Sequence, residues 1–390
     1  MSTATLASRR SSSDSTENRV FTHHVPPVTM GCGALKQLPA ILSSFGSKVF
    51  IVTDPGVAQQ PFFELLQTNL NHHGFQTSTF QNVLPDPPVD VFEACAVQAS
   101  EFSPSCFLGI GGGSALDVTK IVAVLEKHHC SLASLFGIDQ VPGRGAPSVL
   151  ISTTAGTGSE VTPIAVVSDE ENQLKKGIVS DFLIANHAVV DPCLCTTLPA
   201  WPTAYTGMDA LTHAIEAYTN RYSVPLIDGY ALEAIRLIAR HLPTACHHGS
   251  DLAARYAMSR ASMLGGMCLG SVNTAAVHAL AYPLGGRFKV PHGVANSLLL
   301  PHVMEFNMPA VAERYQIVAE TMGRGDGDVI AAVDQLSAEV GTNRPMTEFG
   351  VTQDELPSMA ADAMQVTRLL RNNPREMCEQ DALAIYQAAL

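Results

Sequence analysis

Up to about residue 190 the chain alternates two kinds of hydrophobic pattern, and beyond about residue 204 it keeps only one. Short apolar runs near 48–53, 77–80, 106–110, 147–152 and 186–190 alternate with helical stretches near 57–72, 89–102 and 114–128. That alternation predicts a parallel sheet covered by helices. Asp191-Pro192 and Leu198-Pro199 mark a change of texture. From Ala204 onward apolar positions recur at steps of three and four, as in Tyr230 to Ile238, and strand signals fade. An all-helical second part is expected there. At 390 residues the chain is long for one core and suits two domains with a shared cleft. We read residues 21–198 as an α/β domain and 199–390 as an all-helical domain, after a disordered tail at 1–20. No internal repeat is found, and Gly323 to Asp328 reads as a flexible loop.

Four residues between Asp209 and His292 make sense as one set. Asp209 and His213, in G-M-D-A-L-T-H-A-I-E-A-Y, are four apart in a helical pattern, so both project from one face. His278 and His292 are fourteen apart, about 21 Å along an unbroken helix. Tyr282-Pro283, Gly285-Gly286 and Pro291 argue against such a helix, so the chain is expected to fold back and return His292 to the same place. One carboxylate and three imidazoles suit a catalytic Fe²⁺, Zn²⁺ or similar ion. Taken singly, each residue has an ordinary reading as a solvated pair, a cap or a satisfied core histidine.

The other half of the chemistry lies upstream. Gly109-Ile110-Gly111-Gly112-Gly113-Ser114 follows a short apolar strand candidate and opens a helical pattern, an arrangement that brings bare N–H groups and a helix N-terminus against a diphosphate. It is not the G-x-G-x-x-G of the usual dinucleotide turn, and a tight strand-to-helix turn calls for glycine with or without a ligand. Asp54 ends the strand candidate Lys48 to Thr53; it is either an acceptor for an adenosine ribose or a plain helix cap before Pro55. Ser152 to Glu160 is either a polar loop or a close backbone approach to a nicotinamide and its phosphates.

These residues resemble the iron-dependent, group III alcohol dehydrogenase family from about Val25 to the C-terminus. The markers are G-G-G-S-x-x-D-x-x-K from Gly111 to Lys120, T-T-A-G-T-G-S-E from Thr153 to Glu160, and the two histidine motifs. The resemblance implies an α/β N-terminal dinucleotide-binding domain plus an all-α C-terminal domain, the dehydroquinate synthase-like architecture, with a divalent metal in the cleft between them. It implies Asp209, His213, His278 and His292 as metal ligands, and Asp54 at the position linked to preference for NAD over NADP. Gly111, Gly112, Gly113, Ser114 and Asp117 fall in the pyrophosphate turn motif, and Thr153, Thr154 and Thr157 in the cofactor loop. It also implies a dimer or larger homo-oligomer. Many relatives carry a further histidine four residues after the third ligand; this chain has Tyr282, which either relays a proton or packs against the cluster.

The reading is thus a metal-dependent NAD(H) oxidoreductase interconverting a small alcohol with its aldehyde or ketone. Two alternatives are a maleylacetate reductase-like or transhydrogenase-like activity on a carboxylate substrate, for which Arg287 and Lys289 are candidate contacts, and a non-redox metal-dependent hydrolase or lyase. A net charge of −13 argues against nucleic acid or anionic membrane as partner. Nine scattered cysteines show no disulfide framework, and no apolar run approaches a membrane span. Cys193 and Cys195 are expected to be buried thiols. A soluble, cytoplasmic enzyme is expected; Met1 to Ser13, with Arg9-Arg10 and no acidic residue, keeps a mitochondrial transit peptide as the alternative.

Overall fold

The computed structural model describes residues 20–169 and 174–390, so the tail and targeting expectations for the first residues lie outside it. The strands are β1 (Val28–Met30), β2 (Lys48–Val52), β3 (Gln76–Phe80), β4 (Cys106–Gly111), β5 (Gly137–Ile138), β6 (Ser148–Ser152), β7 (Ile164–Asp169), β8 (Leu174–Val179) and β9 (His187–Val190). Six of them form a parallel sheet in the order β1-β9-β6-β4-β2-β3. Its inner strands, such as Cys106–Gly111 and Ser148–Ser152, are buried along their whole length, as strands covered on both faces require. The covering helices are α1 (Leu38–Ser43), α2 (Pro55–Ala58), α3 (Pro61–His72), α4 (Val89–Phe102) and α5 (Gly113–His128). The single helix expected over 57–72 is two, because Pro61 lacks an N–H and opens a new helix at its first position.

From β2 the chain steps to β3 on one side, then returns to lay β4 on the other side of β2. The crevice beyond the C-terminal ends of β2 and β4 is therefore the switch point where open α/β sheets bind ligands. A second sheet, β5-β8-β7, was not legible in the sequence; β7 and β8 form an antiparallel hairpin and β5 runs parallel to β8.

The remainder is helical: α6 (Ala200–Thr219), α7 (Pro225–His247), α8 (Leu252–Val272), α9 (Ala276–Phe288), α10 (His292–Met322), α11 (Val329–Val340), α12 (Leu356–Met364), α13 (Thr367–Leu370) and α14 (Glu379–Ala389). α6 is buried almost all round from Thr203 onward, the property of a central helix. α10 contains Pro301 and Pro309 and breaks at Val311, where a proline-weakened ladder gives way. The loop expected at Gly323 to Asp328 contains a short 3₁₀ turn, Gly325–Gly327: Gly323 caps α10, and the Asp328 side chain accepts from N–H groups in the first turn of α11. No single helix among the described residues is long and apolar enough to cross a membrane. Cys195 is buried as expected, whereas Cys193 is exposed.

A buried ionic knot ties the sheet to the cleft. Lys120 on α5, 2% exposed, donates to Ser159 Oγ at 2.7 Å, Thr162 Oγ1 at 3.1 Å and the Ile164 carbonyl at 2.8 Å. Asp117, one turn earlier, accepts from Ser159 Oγ at 2.5 Å and from the Val166 N–H at 2.9 Å. The loop after β6 and the start of β7 are thereby fixed against α5. Glu160 sits in the same loop at 2% exposure, and burial pushes its carboxyl up to about 7. In the unfolded chain it titrates near 4.5, so the folded chain holds this proton more tightly. The stability it contributes is complete below pH 4.5 and is lost as pH rises through 7. Glu160→Gln should therefore flatten the decline in unfolding free energy over that window, read from denaturant titrations at successive pH values. An unchanged slope would show that Glu160 ionises as freely folded as unfolded.

Candidate metal and cofactor cleft

α6, α9 and α10 bring the four sequence-predicted ligand residues to one place. Asp209 lies at 3% exposure, His213 at 5% and His278 at 4%. Asp209 Oδ1 is 3.8 Å from His213 Nε2, 3.7 Å from His278 Nε2 and 3.8 Å from His292 Nε2. Among the described residues, Asp209, His278 and His292 each offer a ligand atom within 4.8 Å of the others. The route by which His292 arrives differs from the expected one. α9 runs unbroken through Pro283 and Gly285-Gly286 to Phe288 and ends at Lys289, a left-handed residue with φ 55°. Pro283 loses one ladder bond without ending the helix, and the reversal is made by Lys289 to Pro291, with His292 as the first residue of α10. α10 then approaches α6 so closely that a Cβ at Gly293 would lie 2.1 Å from the Tyr205 carbonyl oxygen. Glycine there is what lets His292 stand over Asp209.

Two supporting residues were not identified from sequence. Glu216 accepts from His278 Nδ1 at 2.6 Å and from the N–H groups of Ala275 at 2.9 Å and Val277 at 2.7 Å. It both caps α9 and holds His278 by Nδ1, which turns Nε2 toward Asp209. Its signal was present: Asp209, His213 and Glu216 share one helix face. Asn296, one turn beyond His292, donates from Nδ2 to Asp209 Oδ1 at 2.7 Å and lies 3.1 Å and 3.3 Å from the Nε2 atoms of His278 and His292. Its own Oδ1 is buried without a partner among the described residues.

The electrostatics fit a cation. Burial would raise the Asp209 carboxyl, but His213, His278 and His292 together hold it far below the usual carboxylate range. Burial alone would lower His278; the carboxylates of Glu216 and Asp209 outweigh it and push the imidazole up to about 9. Burial takes His292 down to about 3 and also lowers His213, leaving both as the neutral imidazoles that bind metals. One carboxylate and three imidazoles, one oriented by a carboxylate behind it, form a donor set for Fe²⁺ or a similar ion.

The cluster opens into a cleft of about 320 Å³ whose opposite wall is the N-terminus of α5. Gly112, Gly113 and Ser114 line it, and no side chain caps this helix, so its first N–H groups face the cleft. Thr154 and Thr157 also line the cleft, while Thr153 lies beneath, its N–H bonded to the Gly111 carbonyl at 2.9 Å. Gly111 ends β4 next to Asp54. Asp54 is a helix cap, accepting from the Val57 N–H at 2.9 Å, and its other oxygen stands beside Gly111 at the switch point. Asp117 reaches the cleft floor with both carboxylate oxygens already engaged by Ser159 and Val166. Tyr282 lines the cleft one turn beyond His278, and Arg368 Nη2 donates to its hydroxyl at 3.4 Å. Arg287 is committed to Asp362 and Ser358, and neither it nor Lys289 is among the described residues lining the cleft.

Residues 26–192 match the family described as iron-containing alcohol dehydrogenase, and 203–390 match the Fe-containing alcohol dehydrogenase family, C-terminal. Long-chain-alcohol dehydrogenase 1 of Geobacillus thermodenitrificans is 38% identical over 379 residues, covering 93% of this chain and 95% of that protein. The NAD-dependent methanol dehydrogenase of Bacillus methanolicus is 32% identical over 378 residues, covering 94% of this chain and 99% of that one. A crystal structure of 1,3-propanediol oxidoreductase superposes with a TM-score of 0.92 at 35% identity, covering 95% of this chain and 100% of its own. With the two family matches spanning both halves of the cleft, the chain belongs to the iron-containing alcohol dehydrogenase family and is a metal-dependent NAD(H) oxidoreductase acting between alcohols and aldehydes.

Proposed function

We propose that Asp209, His213, His278 and His292 hold the divalent ion and that the α5 N-terminus, Asp54 and the Thr154–Thr157 loop hold NAD(H). The observation that carries this reading is the common cleft: the ligand cluster and the uncapped helix N-terminus line the same 320 Å³ space. When bound, the metal supplies Lewis acidity toward the substrate oxygen, and NAD(H) accepts or gives the hydride. The protein's own residues align and shield. Glu216 keeps His278 in one tautomer, and Asn296 restrains Asp209. Asp117 and Lys120 act on the cofactor indirectly, by fixing the loop that carries Ser159. Alcohol oxidation releases a proton from the hydroxyl and aldehyde reduction takes one up. Tyr282, in the cleft one turn beyond His278, is the residue we assign to carry it.

His292→Ala removes one of four anchors, so bound metal and turnover should fall together, measured by elemental analysis and NADH absorbance. Full metal occupancy with normal turnover would refute the ligand assignment. Asp54 places a carboxylate at the ribose end of the switch point, where it repels a 2′-phosphate, so the enzyme should favour NADH over NADPH. Asp54→Gly should narrow that preference; equal use of the two cofactors by the unaltered enzyme would contradict the contact. Tyr282→Phe should lower turnover by about 10²–10⁴-fold with metal content unchanged, the span for a lost general acid or base. Since phenylalanine keeps nearly all the volume, only a slight loss would mean that Tyr282 packs and carries no proton.

A further inference from the structure

The charges lining the cleft are matched, with one exception among the described residues. Lys175 Nζ pairs with Asp86 at 2.6 Å. Asp117 is held by Ser159, Val166 and Lys120, and Asp209 by its imidazoles. Arg368, at the start of α13, faces the cleft with no carboxylate against it. Its Nη2 has only the phenol of Tyr282, at 3.4 Å, and its Nη1 is buried with no hydrogen-bond partner among the described residues. A buried guanidinium donor left unmet costs free energy, and so marks a place where an acceptor is expected to arrive.

The surroundings are built to hold that guanidinium. Gly177 on β8 lies where a Cβ would come 2.9 Å from Arg368 Nη2, so a side chain there would displace the guanidinium from this position. Gly177 pairs with Val166 and Lys175 with Ser168 across the hairpin, and Val166, Ser168 and Lys175 line the cleft. Lys175 and Gly177 are two residues apart on one face of β8, and the Arg368 guanidinium lies against Gly177 on that face. Arg368 therefore brings an unpaired positive charge beside Tyr282, one turn of α9, or about 6 Å along its axis, from the ligand residue His278.

We propose that Arg368 is the receptor for a carboxylate or sulfonate at the far end of a short-chain aldehyde or alcohol whose reacting oxygen lies at the ligand cluster. This rests on the function proposed above and narrows it to a substrate class. A planar guanidinium with an unmet donor matches such an oxyanion. Neutral aldehydes of the same shape leave Nη1 unmet and are the poorer substrates.

The test compares 4-oxobutanoate and 3-oxopropane-1-sulfonate with 4-methylpentanal, which carries an isopropyl group in place of the oxyanion. Each is reduced by the metal-loaded enzyme with NADH, and kcat/KM is read. At least one anion should exceed the neutral aldehyde by about 10- to 100-fold, the range for a lost charged hydrogen bond, and the pair of anions separates carboxylate from sulfonate recognition. Arg368→Met should collapse that ratio, and Arg368→Lys should restore part of it, with metal content reporting the folded site. An unaltered enzyme that reduces the neutral aldehyde as well as both anions overturns the inference while leaving the activity intact. A ratio unchanged in Arg368→Met also overturns it, because the arginine would then act only through Tyr282. Reduction of none of the three overturns the assigned activity and the inference together.

Discussion

A carboxylate at 3% exposure is costly unless opposing groups surround it, and the helical half of this protein is organised around meeting that demand for Asp209. His213 answers from the same helix, His278 from α9, and His292 with Asn296 from α10. Three helices must meet within side-chain reach. α10 manages this only because Gly293 has no side chain against Tyr205, and α9 because Glu216 satisfies its first N–H groups from α6. The groups that orient the site are thus the same groups that hold the helices together. A substitution there changes fold and chemistry at once.

The sheet contributes in a different way. Its parallel order places the ends of β2 and β4 side by side, so Asp54 and the Gly111–Ser114 turn share one crevice though about sixty residues separate them. Lys120 and Asp117, buried beneath, carry the position of α5 into the Ser159–Ile164 segment, which connects the cofactor side of the cleft to the β7–β8 hairpin. The hairpin then forms a wall the catalytic motifs do not specify. Gly177 and Arg368 meet there beside Tyr282, in the part of the cleft we assign to the rest of the substrate.

What sequence alone determined follows from short-range periodicity and from motifs whose spacing has one geometric meaning. The alternation before residue 190 identified a parallel sheet, and the three- and four-residue steps after 204 identified helices, because burial imposes those periods locally. Asp209 and His213 were legible as one helix face for the same reason, and so was the glycine turn as a helix N-terminus. Sequence misjudged Pro283, which sits inside α9, because whether a proline ends a helix depends on the packing that holds the rest of it, and α9 is buried along most of its length. The β7–β8 hairpin, the capping of α9 by Glu216 and the place of Asn296 depended on partners distant in sequence. Arg368 is the extreme case. Its neighbours in the chain say nothing of its role, which comes from β8, almost two hundred residues earlier, and from Tyr282 on α9. Local pattern encodes which face of an element is buried; only the tertiary fold decides which charges are left without a partner, because pairing is settled by contacts between segments that the chain does not place next to one another.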